Sequence, residues 1–83
     1  MKLSVIILNY NVRYFLEQCI VSVQKATRSI DAEIIIVDNN STDDSCAMVK
    51  NIFPEIPLIE NKKNVGFSIA NNQAVAIAKG TYV

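Results

Sequence analysis

Histidine is absent from the 83 residues. A Ser-His-Asp or Cys-His nucleophile therefore cannot be assembled within them. Cysteine occurs only twice, as Cys19 and Cys46, too few without histidine for a four-ligand structural zinc site. Glycine also occurs twice, at Gly66 and Gly80, so neither a P-loop nor a G-x-G-x-x-G fingerprint can be written. Neither sign of charge is in excess, with 8 Lys plus Arg against 8 Asp plus Glu. A nucleic-acid binder would carry a basic patch, so no nucleic-acid partner is expected. No run approaches the ~20 apolar residues of a membrane span, and no transmembrane segment is expected.

What is present is an apolar fraction of 51%, too rich for disorder. The length suits one small domain, which buries only about 60–65% of its unfolded surface and should be thinly stable. Met1-Lys2 followed by Leu3 to Leu8 has a slight signal-peptide look. The run is short, contains Ser4 and ends in Asn9-Tyr10-Asn11 rather than at a small-residue cleavage site. It reads as a buried strand, which predicts a cytoplasmic protein with free thiols.

Leu3 to Leu8 and Glu33 to Val37 are β-branched runs of the kind covered on both faces. Leu16, Cys19, Ile20 and Val23 fall on one stripe of a helix between them. Ser41-Thr42-Asp43-Asp44 predicts a helix start, with Ser41 as cap and the two acids in the first turn. Cys46, Val49, Ile52 and Phe53 supply its apolar face until Pro54 ends it. Both cysteines are expected to pack as small apolar residues. Ile56 to Glu60 is a weaker strand, placed at a sheet edge by Pro57. A third helix buries Phe67, Ala70, Ala74, Ile77 and Ala78, with Gly80 where a C-terminal cap belongs. Thr81-Tyr82-Val83 has strand composition.

This alternation predicts an α/β domain with a parallel sheet in the order 3-2-1 and three helices. Right-handed crossovers put the first two helices on one face. The third helix crosses to the other face to deliver a short fourth strand beside the first. That reversal makes a switch point, where open α/β sheets bind ligands.

Three polar clusters gather at that edge: Asn9-Tyr10-Asn11, Asp38-Asn39-Asn40-Ser41 and Asn64-Val65-Gly66-Phe67. Each alone is an ordinary turn composition. Together they suit a planar heteroaromatic ring and a ribose, with Tyr10 for stacking, Asp38 as acceptor and amides for orientation. Lys62 and Lys63 read as a solvated loop, with contact to a diphosphate as the alternative.

Four stretches carry a wider likeness: Ser4 to Asn11, Ile35 to Ser45, Asn64 to Asn72 and Ala78 to Val83. In this order they resemble the amino-terminal part of family 2 glycosyltransferases of the GT-A fold, and most resemble bacterial rhamnosyltransferase-like members. The resemblance spans residues 1–83 as the nucleotide-sugar-binding portion of such a domain. It implies inverting transfer of a sugar from a UDP- or dTDP-linked donor to a saccharide or lipid-linked acceptor. It also implies a nucleotide site drawn from Leu8, Asn9, Tyr10, Asn11, Asp38, Asn39, Asn64, Gly66, Phe67 and Asn72. Two departures stand out: Asn39 where many members have Asp, and Asn71 where an Arg is common.

In the family, a divalent metal (Mg or Mn), its Asp-x-Asp motif and the general base come after the position of Val83. The resemblance therefore implies no metal or catalytic residue within the 83, and a stretch that is inactive alone. The alternative is a nucleotide-binding or purely self-associating fragment. An uncovered Leu3 to Leu8 edge is a template for another chain, so a homo-oligomer through that edge, or through apolar helix faces, is expected.

Overall fold

The computed structural model describes residues 2–83. Six elements alternate as the residue pattern predicts: β1 (Leu3–Asn9), α1 (Arg13–Ala26), β2 (Ala32–Asp38), α2 (Ser45–Ile52), β3 (Leu58–Glu60) and α3 (Phe67–Ile77). The three strands are parallel, with β2 in the centre. The 3-2-1 order follows from the short crossovers.

Side chains alternate across the pleat, and the alternation sorts the core into two layers. Ile7, Ile34, Ile36 and Leu58 face α1 and α2, packing with Leu16, Ile20, Met48, Val49 and Phe53. Ile6, Leu8, Ile35, Val37 and Ile59 face α3, where Ala70 and Ala74 are fully buried. Helices α1 and α2 thus share one face and α3 takes the other. Beyond α3, Tyr82 bridges Leu3 in parallel, the predicted stub beside β1.

Several local expectations are corrected. Helix α2 begins at Ser45, not at Ser41, and no side chain caps it. Asp43 instead accepts hydrogen bonds from the amide and hydroxyl of Ser45, ahead of the helix. Cys19 is exposed and Cys46 half-buried, so neither is a core residue. Leu16 and Ile20 carry the α1 stripe without Cys19. Phe67 and Ile77 are exposed, because α3 meets the sheet through its alanines. Strand β3 is three residues long, and Pro57 precedes it, its carbonyl accepting from the Ile36 amide at 3.0 Å.

Gly80 is not a helix cap, since α3 ends with Ala78 at the C-cap. It serves a close approach between its own backbone and β1. Ser4, fully buried, donates to Glu33 Oε2 at 2.6 Å and accepts from the Gly80 amide at 2.8 Å. The same Oε2 accepts the Lys79 amide at 2.6 Å. The Ser4 amide donates to the Tyr82 carbonyl, and the Tyr82 amide to the Lys2 carbonyl. The β1 edge is therefore covered at its start, and the expectation of a wholly free edge is corrected to a free stretch beyond Ser4 among the described residues.

Candidate functional site

The carboxyl ends of the strands converge on one rim. The Asn39 amide donates to the Asn9 carbonyl at 2.9 Å, and the Asn61 amide to the Asp38 carbonyl at 2.9 Å. The tips after β1, β2 and β3 are thus joined through their backbones. Asn39 Nδ2 also reaches the Gly66 carbonyl at 3.4 Å, which brings in the turn before α3.

That turn depends on Gly66. Its φ of 85° and ψ of 168° lie in a region that is essentially glycine's alone. The Asn64 side chain stabilises it by accepting the Gly66 amide at 2.9 Å. Asn11 and Asn40 hold the other two positive φ angles among the described residues, 53° and 69°, which asparagine tolerates.

Between these tips lies an open cleft of about 190 Å³ lined by Leu8, Asn9, Tyr10, Asn39, Asn64 and Phe67. Six of the residues named from the sequence therefore share one surface. Tyr10 is 51% exposed and Phe67 73%. Two exposed aromatic rings and the exposed Asn64 amide, beside the buried Asn9 and Asn39, are suited to a flat polar ring rather than to core packing.

Asp38 and Asn11 stand apart from that cleft. The pleat puts Asp38 two residues beyond Ile36, on the α1–α2 side of the sheet. There Asp38 Oδ1 accepts Asn9 Nδ2 at 2.8 Å and Ser41 Oγ at 2.6 Å, and its Oδ2 accepts the Ser41 amide at 2.8 Å. Asp38 lines a neighbouring hollow of about 490 Å³ with Asn40, Ser41, Cys46, Glu60, Asn61 and Lys62. Asn11 Oδ1 accepts the amides of Thr42 and Asp43, which ties the β1 tip to the β2 tip. Asn72 is exposed on α3 and does not line the cleft. Lys62 borders the second hollow.

Ser41 is the residue whose role the sequence misassigns. Its hydroxyl donates to Asp38 and accepts from Asn9 Nδ2 at 3.1 Å and the Asn11 amide at 2.9 Å. Asn9 Oδ1, by contrast, is buried without a hydrogen-bond partner. Such an orphan acceptor costs about 1–3 kcal/mol. The Cys46 thiol is pushed up to about 12 by burial, reinforced by Asp38 and then Glu60.

Among the described residues, no three His, Cys, Asp or Glu side chains group to hold a metal ion. Both Asp38 oxygens are engaged by Asn9 and Ser41. These residues do not fit a divalent cation. No helix among them is long and apolar enough to cross a membrane.

Residues 4–83 match the family described as glycosyl transferase family 2. The chain belongs to that family. The family 2 chain is 36% identical over 88 residues to the poly(ribitol-phosphate) beta-glucosyltransferase of Bacillus spizizenii, covering 100% of this chain and 14% of that protein. It is 35% identical over 82 residues to the glycosyltransferase EpsJ of Bacillus subtilis, covering 96% and 24%. It is 30% identical over 82 residues to the chondroitin synthase of Pasteurella multocida, covering 96% and 8%. The family 2 chain thus spans about a quarter or less of the length of these relatives.

Proposed function

We propose that these 83 residues form the donor-nucleotide portion of a glycosyltransferase that moves a sugar from a UDP- or dTDP-linked donor to a saccharide or lipid-linked acceptor. The observation that carries this reading is the cleft of Leu8, Asn9, Tyr10, Asn39, Asn64 and Phe67 at the switch point of a family 2 chain. The base would enter between Tyr10 and Phe67, with Asn39 and Asn64 orienting its polar edge. Leu8, Asn9 and the Gly66 turn shape the floor and wall, while Asp38 and Asn11 hold the two tips in place. Helix α3 starts at Phe67 without a side-chain cap, so its first amides suit an anionic diphosphate.

A saccharide acceptor is supported by the relatives named for glucosyl transfer to poly(ribitol phosphate) and for chondroitin synthesis. Stabilising a diphosphate leaving group and deprotonating an acceptor need a cation or positive groups and a base. The 83 residues have a binding surface without that set, so they bind donor without transferring its sugar.

Titration of the chain with uridine or thymidine diphosphate, followed by backbone amide NMR, tests the proposal. Shifts at Tyr10, Asn39, Gly66 and Phe67 are expected, and their absence at millimolar nucleotide overturns it. The second reading, self-association without ligand, is favoured by the stretch of β1 beyond Ser4 that no described strand covers. Light scattering at micromolar concentration separates the two, since a monodisperse monomer excludes it.

A further inference from the structure

Asn61 follows β3 directly, and its backbone amide is fixed to the Asp38 carbonyl. Its side chain is fully employed. One Nδ2 contact goes to Asn39 Oδ1 at 3.0 Å, another to Gln73 Oε1 at 2.8 Å, and Oδ1 accepts Gln73 Nε2 at 3.0 Å. The amides of Asn61 and Gln73 are thus paired reciprocally, which fixes both planes. Asn39 passes the link on to the Gly66 carbonyl. Gln73 and Gly66 are both parts of the α3 segment, so the hydrogen bonds close a circuit from the middle of the helix back to its start.

The circuit is not what fastens α3 to the sheet. Ala70 and Ala74 do that, packed with Ile35 and Val37. What the circuit reaches instead is the wall of the cleft. Asn64, Gly66 and Phe67 are exposed, so burial gives them little fixed position, and Gly66, lacking a β-carbon, has a wide choice of backbone conformations.

We infer that Asn61 and Gln73 are positioning residues for the nucleotide, their paired amides setting the gap between Tyr10 and the Asn64–Phe67 wall. Neither lines the cleft, so both act through Asn39 and Gly66. This rests on the nucleotide-binding reading above.

The test compares wild type with Gln73→Ala in two measurements: uridine diphosphate affinity, and backbone amide order at Gly66 and Phe67 without ligand. Gln73→Ala is expected to weaken uridine diphosphate about tenfold and to loosen Gly66 and Phe67, while the Ile35 and Val37 amides stay protected. Gln73→Glu keeps the acceptor for Asn61 Nδ2 and loses the return bond, so it should recover part of the affinity. It also carries the test should Gln73→Ala fail to fold. Wild-type binding with undiminished affinity in both variants overturns this inference alone. Absence of binding by wild type overturns the nucleotide reading and the inference with it.

Discussion

Gly80 lies so close to Ser4 that a β-carbon at position 80 would stand 2.5 Å from the Ser4 amide nitrogen and 2.7 Å from its hydroxyl. The obstacle is mostly backbone of β1, which cannot swing aside. Gly80→Ala should therefore destabilise the chain by about 1–3 kcal/mol. A lowered urea midpoint with faster amide exchange at Ser4 and Tyr82 is the expected result.

Acid should loosen the same corner. The Ser4 hydroxyl, followed by the Lys79 amide, holds the Glu33 carboxyl below its ordinary value. The Ser45 hydroxyl does likewise for Asp43. A depressed carboxylate adds stability that is complete above its unfolded pKa and disappears as pH falls through the folded one. Urea midpoints should hold from pH 7 to about 5 and decline below the usual carboxylate range. Glu33→Gln should flatten part of that decline.

Asp38 joins the first two strand tips beneath the rim. Asp38→Asn places an amide where Asn9 and Ser41 now donate. Hydrogen bonds to a charged acceptor are the stronger kind, and the loss should cost about 2–4 kcal/mol. Thermal unfolding measures it, and nucleotide affinity should fall as the tips separate.

Tyr10 and Phe67 should behave in the opposite way. Both are largely exposed, so Tyr10→Ala and Phe67→Ala should change stability by no more than about 0.5 kcal/mol. Losing a stacking partner is worth about 1–3 kcal/mol per base, or roughly tenfold or more in uridine diphosphate affinity. Calorimetric titration beside thermal melts separates the two effects.

The two thiols should differ sharply in reactivity. Burial and the neighbouring carboxylates push Cys46 up to about 12, leaving almost no thiolate at pH 8, whereas Cys19 is exposed. Alkylation at pH 8, followed by mass spectrometry, should label Cys19 first and Cys46 only on unfolding.

The layer arrangement is legible in the residues because Ile34 to Val37 must alternate between two covered faces, and because only α3 offers alanines at helical spacing. The convergence of the three tips follows from the parallel order. Ser41 was not legible as a rim residue, since capping and tip-bridging use the same hydroxyl. The choice was made by Asn9 and Asn11, some thirty positions away in the chain. Asp38 could have been separated from the Tyr10 cleft by parity, being two residues past Ile36 on the α1–α2 face. The Asn61–Gln73 pairing leaves no local signature, because two amides reveal a shared plane only when the fold brings them together.

The single methyl groups of Ala70 and Ala74 have one more effect. They let α3 ride low over Ile35 and Val37, and Phe67 rides on the same rod. Any bulkier side chain at those two positions would lift the rod and tilt the ring it carries. The thickness of that hidden layer thus acts as a shim under the mouth above it. Enlarging it would change what can enter without altering a single residue that an entering molecule touches.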